Sequence, residues 1–296
     1  MSHVPLVTVE PEKNRLPVTL GALADAKRLG EPLVMVTAYD FPSAQVAEAA
    51  GVDLVLVGDS GAMTVLGYPS TVPVTVEEML MLAAAVRRGL RTPFLVGDLP
   101  FGSYEASDEI AVATAQRFVK EAGCAAVKLE GGGTSPVQRA GAIVAAGIPV
   151  MGHVGLTPQT ATALGGYKAQ GRTASRALQV AREAQALEAA GCFAVVFEAV
   201  PAALTAEVAP RLTIPVIGIG AGPDADGQVL VFHDLLGIHD ASDPRFVKRY
   251  AHLKEEMIEG VKAYAEDVRT RRFPAPEHTY SIDPAELESF REGLSI

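Results

Sequence analysis

Lys128 and Glu130 stand two residues apart in the run Ala125-Ala126-Val127-Lys128-Leu129-Glu130. That spacing puts both charged side chains on one face of a β-strand and Val127 and Leu129 on the other. Asp59 follows Val57-Gly58 and Asp98 follows Val96-Gly97, so two more acids come after a glycine at the corresponding end of an apolar run. A lysine beside a glutamate is, alone, equally well a buried ion pair. Three carboxylates meeting in a partly dry pocket repel one another unless some hold protons or a cation joins them. A divalent cation removes that conflict. Oxygen ligands without cysteine point to a hard ion: Mg²⁺ suits few carboxylates with positions left for water and substrate, and Mn²⁺ is the alternative. Three carboxylates, one such ion and Lys128 sum to zero charge, which leaves the ion and Lys128 to orient an anionic substrate oxygen.

Glu198 ends a separate apolar run, Val195-Val196-Phe197-Glu198-Ala199-Val200. An apolar setting raises a carboxyl pKa toward that of a useful general base, and a base opposite a metal-bound carbonyl implies enolate chemistry. The alternative is a structural carboxylate bonded to a backbone amide. His153, after Met151-Gly152, is a proton donor, a substrate ligand or a satisfied core histidine. His233 and Asp234, expected to end the last strand, and Asp40, after Leu33–Tyr39, share the strand-end position with less to support a role. Cys124 and Cys192 each follow an Ala-Gly or Ala-Ala-Gly helix ending and read as small buried side chains.

The positioning elements follow from periodicity. Eight apolar runs lie at about 33–39, 53–58, 93–98, 125–130, 148–153, 193–198, 214–219 and 228–233, and six of them end in or run into an ionisable residue. Between them lie segments of helical spacing, including 76–90, 109–122 with Ser107 or Asp108 as N-cap, and 175–190. A leading helix is expected over 18–29, and Gly30, Gly51, Gly89, Gly123, Gly147 and Gly191 each close a helix before a strand. Strands separated by helices run parallel, and near-continuous apolar runs fit strands buried on both faces. The simplest arrangement is a (β/α)8 TIM barrel forming one domain over 1–296, with core about 33–272, a last helix over 244–272 and a C-terminal extension over 273–296. An open doubly wound sheet is the alternative, and either places the ligand site at the carboxyl ends of the strands.

Composition excludes several classes. The chain has 296 residues, nearly half of them apolar, and a net charge of −10 with no Lys/Arg run that could form a phosphate-tracking stripe, so nucleic acid and anionic membranes are poor partners. No apolar stretch approaches the roughly 20 residues that span a bilayer, and residues 1–19 lack a signal-peptide apolar region, so a cytoplasmic location is expected. The segment Gly218-Ile219-Gly220-Ala221-Gly222 fails the dinucleotide fingerprint at Pro223, and no Lys or Arg between Arg211 and Arg245 could hold a phosphate.

The ordered motifs resemble the ketopantoate (3-methyl-2-oxobutanoate) hydroxymethyltransferase family. They are Thr37-Ala38-Tyr39-Asp40, Val57-Gly58-Asp59-Ser60, Ser70-Thr71-Val72-Pro73-Val74-Thr75, Asp98-Leu99-Pro100-Phe101, Val127-Lys128-Leu129-Glu130-Gly131-Gly132, Gly152-His153-Val154-Gly155-Leu156-Thr157-Pro158-Gln159, Gly165-Gly166-Tyr167-Lys168 and Gly218-Ile219-Gly220-Ala221-Gly222. The resemblance implies a Mg²⁺-dependent (β/α)8 barrel that moves a one-carbon unit from 5,10-methylenetetrahydrofolate to 3-methyl-2-oxobutanoate, giving 2-dehydropantoate for pantothenate biosynthesis. It makes Asp59, Asp98 and Glu130 metal ligands or near-ligands. Asp59, Ser60, Asp98 and Lys128 then contact the oxo acid, with His153 as a further candidate contact, and Glu198 is the proton acceptor. It also implies a homo-oligomer, a decamer built from dimers. The loop 155–172 is the first candidate to hold the folate. Ser60 is followed here by Gly61-Ala62 where the family usually has Leu-Gly, and the neighbours of Glu198 also differ from some members. The rival readings are a Mg²⁺-dependent carbon-carbon lyase or mutase of the phosphoenolpyruvate mutase type, and a non-catalytic metal-binding barrel.

Overall fold

In the computed structural model, which describes residues 15–163, 165–239 and 244–294, eight parallel strands close on themselves in chain order. They are β1 (Leu33–Thr37), β2 (Leu54–Val57), β3 (Phe94–Asp98), β4 (Ala126–Lys128), β5 (Val150–Gly155), β6 (Ala194–Glu198), β7 (Val216–Ile219) and β8 (Gly227–Leu230). Pairing of Met35 with Val229 seals the barrel. The outer ring holds α2 (Phe41–Ala50), α4 (Val76–Gly89), α5 (Asp108–Lys120), α6 (Thr134–Ala145), α7 (Ala174–Ala189) and α8 (Ala202–Val208); α1 (Leu20–Leu29) precedes the first strand and α3 (Gly61–Thr64) is a short turn after β2. After β8 come α9 (Phe232–Leu236), α10 (Leu253–Arg269) and α11 (Pro284–Leu294).

Strand alternation divides the core in two. Leu54, Leu56, Phe94, Val96, Ala126, Met151, Ala194 and Val196 form one buried cluster with Leu23 and Ala26 of α1, which identifies the filled barrel interior and the helix packed against it. Val55, Val57, Leu95, Val127, Val150 and Val195 belong to a second cluster with the surrounding helices. Two residues beyond an inward Val96 comes Asp98, beyond Ala126 comes Lys128, beyond Met151 comes His153 and beyond Val196 comes Glu198. The same period that fills the barrel therefore aims these four side chains inward at its carboxyl end.

Several expectations need correction. Gly89 does not close its helix: α4 ends on it with Leu90 as an extended cap, and a Cβ at Gly89 would lie 2.7 Å from Ala44 Cβ and 2.8 Å from Phe41 O, so close packing on α2 requires glycine there. The expected helix over 244–272 starts only at Leu253, and the C-terminal extension contains a helix of its own, α11. No helix joins β7 to β8; residues 220–226 suffice because both strands are four residues long and Gly227 pairs with Ile217. His233 and Asp234 do not end a strand. The Thr37 hydroxyl accepts the Phe232 N–H at 2.9 Å, and the chain turns into α9, which carries both residues. The reading of the first residues as lacking a leader falls largely on 1–14, outside the described residues.

Asp40 is accounted for by structure. Its carboxylate accepts the Ser43 N–H at 2.7 Å while the Ser43 hydroxyl accepts the Asp40 N–H, a capping box at the start of α2. Cys124 and Cys192 are free and buried, and burial pushes both thiols up to about 12, which removes the thiolate needed for nucleophilic work.

Candidate active site

Register brings the charges together. Asp98 pairs directly with Lys128 across β3 and β4, and Lys128 Nζ donates to Asp98 Oδ1 at 2.7 Å and lies 3.8 Å from Glu130 Oε1. The Asp59 N–H donates to Asp98 Oδ2 at 3.1 Å, which ties the end of β2 to β3. His153 stands between the two remaining acids, with Nδ1 3.7 Å from Glu130 Oε1 and Nε2 3.4 Å from Glu198 Oε2. Its Nε2–H donates to Leu156 O at 2.7 Å, and among the described residues Nδ1 has no hydrogen-bond partner. Ser60 opens α3, and its hydroxyl is 2.8 Å from the Tyr39 hydroxyl.

Burial sets the electrostatics. Desolvation raises Asp98 to about 6 against the pull of Lys128, with Asp59 adding to the rise. Burial also holds Glu130 well above the usual carboxylate range, opposed by Lys128 and reinforced by Asp59 and Asp98. For Lys128 burial works downward, but Asp98, Glu130 and Asp59 outweigh it and keep the ammonium charged. Burial, then Lys128, pushes His153 well below its ordinary value, so the ring is neutral. Glu198 is raised to about 8 by burial, with about 15 % of its side chain reaching solvent.

The backbone around Glu198 is held tightly. Ala199 adopts φ 49°, an uncommon left-handed conformation for alanine, and its N–H donates to Ile219 O while its carbonyl accepts from Gln170. Gly155, paired with Glu198 across β5 and β6, has φ 95°, and a Cβ there would lie 2.3 Å from Glu198 O. Gly155→Ala is expected to cost about 3 kcal/mol through left-handed strain plus overlap. Urea unfolding checks this, and a variant as stable as the parent would show that the strand pair relaxes freely.

Sequence reasoning missed two members. Gln159, in the loop after β5, donates through Nε2 to Asp59 Oδ2 at 3.1 Å and to Leu99 O at 2.9 Å, and its backbone N–H donates to Glu130 Oε2 at 3.0 Å. Tyr104 donates to Gln159 Oε1 at 2.6 Å and accepts the Glu130 N–H at 3.3 Å. Both are buried. The signal for Gln159 was its place closing Leu156-Thr157-Pro158-Gln159; Tyr104 carried none.

A metal fits the donor chemistry without a finished cage. Among the described residues no three acidic, histidine or cysteine side chains form a ready metal site, because Lys128 sits among the carboxylates. The donors are nevertheless all oxygen, buried and mutually repelling, and Asp59 Oδ1 takes no hydrogen bond among the described residues. Few protein ligands, with water and substrate completing the shell, is the pattern Mg²⁺ prefers.

A closed parallel barrel with a buried lysine and four carboxylates at the carboxyl ends of its strands has the architecture of a (β/α)8 enzyme, with the charges where such barrels place their active sites. The family model for ketopantoate hydroxymethyltransferase matches residues 17–276. The chain belongs to that family and is a transferase. It is 48 % identical over 300 residues to 3-methyl-2-oxobutanoate hydroxymethyltransferase 1, mitochondrial, of Arabidopsis thaliana, covering 98 % of this chain and 86 % of the relative. It is 53 % identical over 251 residues to the Thermus thermophilus 3-methyl-2-oxobutanoate hydroxymethyltransferase, covering 85 % and 95 %. Among solved structures, phosphonopyruvate hydrolase in complex with oxalate and Mg²⁺ aligns with TM-score 0.59 at 14 % identity, covering 94 % of this chain and 97 % of that one. Phosphoenolpyruvate phosphomutase of Streptomyces platensis subsp. rosaceus aligns at 0.57 and 16 %, covering 91 % and 97 %. At that identity the likeness is of fold.

Proposed function

We propose that this chain transfers a hydroxymethyl group from 5,10-methylenetetrahydrofolate to 3-methyl-2-oxobutanoate, giving 2-dehydropantoate in pantothenate biosynthesis. The observation that carries the reading is the buried Lys128 held between Asp98 and Glu130, with Glu198 reached across neutral His153. It couples an anion-holding cation to a carboxylate whose pKa suits a base at neutral pH.

Asp59, Asp98 and Glu130 would hold a divalent ion, Mg²⁺ or alternatively Mn²⁺, which when bound polarises the oxo acid's 2-oxo group and so acidifies C3. Lys128 and Ser60 hold the oxo acid, and Tyr39 fixes the Ser60 hydroxyl. His153 lies against the base as a neutral ring and is assigned a substrate contact. Glu198 takes the C3 proton, and the nucleophilic carbon left behind attacks the folate-borne methylene. Water then releases tetrahydrofolate and the hydroxymethyl product. The loop 155–172 is assigned to the folate; it borders, with Gly131–Gly133 and Arg176 of α7, a polar cavity of about 130 Å³ beside the mouth.

Assay of the purified protein with both substrates, with and without Mg²⁺, separates this reading from its rivals. Mutase or lyase turnover of a phosphonate or malate substrate, or no product at saturation, would overturn it. Asp98→Ala is expected to weaken Mg²⁺ binding at least tenfold by calorimetry, about 1.4 kcal/mol. Unchanged affinity removes Asp98 from the ligand set.

The proposal includes a homo-oligomer, a decamer by the family resemblance. Helices α10 and α11 bury no residue of their own and leave Met257, Val261, Tyr264 and Phe290 exposed. Light scattering reads the assembly. No helix among the described residues is long and apolar enough to cross a membrane. A cytoplasmic location is proposed here, whereas the Arabidopsis relative's name is mitochondrial.

A further inference from the structure

We propose that Gln159 is a positioning residue that sets the orientation of two candidate metal-ligand carboxylates, Asp59 and Glu130, from a single point on the loop after β5. The inference rests on the metal reading above and adds to it the residue that holds the ligand set in place.

The geometry leaves the Gln159 carboxamide no freedom. Leu99 O and Asp59 Oδ2 are both acceptors, so the amide nitrogen must face them and Oε1 faces Tyr104, whose single proton goes to it at 2.6 Å; the 3.4 Å approach to Glu130 O is the weaker alternative for that proton. The two amide N–H groups meet Leu99 O at 2.9 Å and Asp59 Oδ2 at 3.1 Å. The backbone N–H of the same residue takes Glu130 Oε2 at 3.0 Å. The network joins the ends of β2, β3 and β4 to the loop after β5, and every polar atom of the side chain is used in a site with 4 % exposure.

The consequence lies in what each carboxylate has left. Asp59 is pinned at Oδ2 and keeps Oδ1 without a hydrogen bond among the described residues; Glu130 is pinned at Oε2 and keeps Oε1 turned to Lys128 and His153. One oxygen of each acid is thereby spent on Gln159, so that the other is aimed. A glutamate at 159 would put an acceptor against Asp59 and reverse the arrangement. Outer partners of ligating carboxylates act in this way, by orientation and not by contact with the reacting atoms.

The test is titration of the purified full-length protein with Mn²⁺, followed by calorimetry and by the electron paramagnetic resonance signal of free Mn²⁺, without substrates. Gln159→Leu keeps the volume and removes the amide, and is expected to weaken Mn²⁺ binding about 10–100-fold. Gln159→Glu should be weakened as well, with its own added pH dependence. Tyr104→Phe keeps Gln159 but leaves its buried Oε1 without a donor, which loosens the hold of the amide on Asp59, and is expected to lose about 3–10-fold. Folding of each variant is checked by metal-free thermal unfolding. Folded Gln159→Leu with parental Mn²⁺ affinity overturns the proposal. If that variant does not fold, parental affinity in Tyr104→Phe overturns it instead. An unmodified protein that binds neither Mn²⁺ nor Mg²⁺ removes the metal reading itself, and the positioning role with it.

Discussion

Glu198→Gln is expected to slow exchange of the C3 proton of 3-methyl-2-oxobutanoate by a factor of about 10³ while oxo-acid binding is retained. The substitution keeps shape and removes the ability to accept a proton. Unlike Asp59, Asp98 and Glu130, the Glu198 carboxyl takes no hydrogen bond among the described residues, and its backbone is fixed by the Ala199 turn and the Gly155 contact, so the amide should sit where the carboxylate does. Raised to about 8 from an ordinary 4.5, the carboxyl must lose its proton before it can act, so in the unmodified protein the exchange rate climbs with pH and levels above about 8. That climb is absent from the variant. Proton exchange at the parental rate would remove Glu198 from the role.

The same residue predicts a stability effect of opposite sign. A carboxyl whose folded pKa is raised stabilises fully below its unfolded pKa and loses that contribution as pH rises through the folded value. Between about 4.5 and 8 the unfolded chain gains from ionising Glu198 and the folded protein does not. Glu198→Gln is therefore expected to be more stable than its metal-free parent above pH 8, by roughly 2–4 kcal/mol, with the advantage fading toward pH 4.5. Denaturant unfolding at three pH values measures it.

Lys128→Met has the second large effect. Methionine fills the space of the stem and deletes the charge, which leaves Asp98 and Glu130 buried without the ammonium that pairs with them. Breaking a buried pair by removing one partner costs about 3–5 kcal/mol. The loss should deepen as pH rises through about 6, where Asp98 sheds its proton, and shrink in acid, where the carboxyls become neutral. Divalent metal should restore part of it. A variant whose stability matches the parent at pH 8 would show that the acids find another cation, and oxo-acid affinity unchanged in that variant would end the substrate role of Lys128.

Much of the fold was legible because burial on both faces writes itself into composition. Each of the eight apolar runs overlaps a strand, and five of the six glycines expected to close helices, Gly30, Gly51, Gly123, Gly147 and Gly191, take positive φ angles before the next strand. The exceptions have local causes. Gly89 answers to a helix contact, the β7–β8 connection is short because its strands are, and α9 begins where a threonine hydroxyl captures Phe232 N–H. None of these is a periodic signal.

For the site, the two-residue alternation by itself determined that Lys128 and Glu130 share one face of their strand; that this face is the barrel interior, and that Asp98, His153 and Glu198 point into it too, followed only from the closed sheet, which buries both faces of every strand and so hides the difference from composition. Only the tertiary structure decided which of them meet. Closure and register put Asp98 opposite Lys128 and Gly155 opposite Glu198, and the loop after β5 folds back so that Gln159 and Tyr104 clasp Asp59 and Glu130. Those contacts join residues up to 100 positions apart, and a sequence pattern, which records only local spacing, carries no term for them.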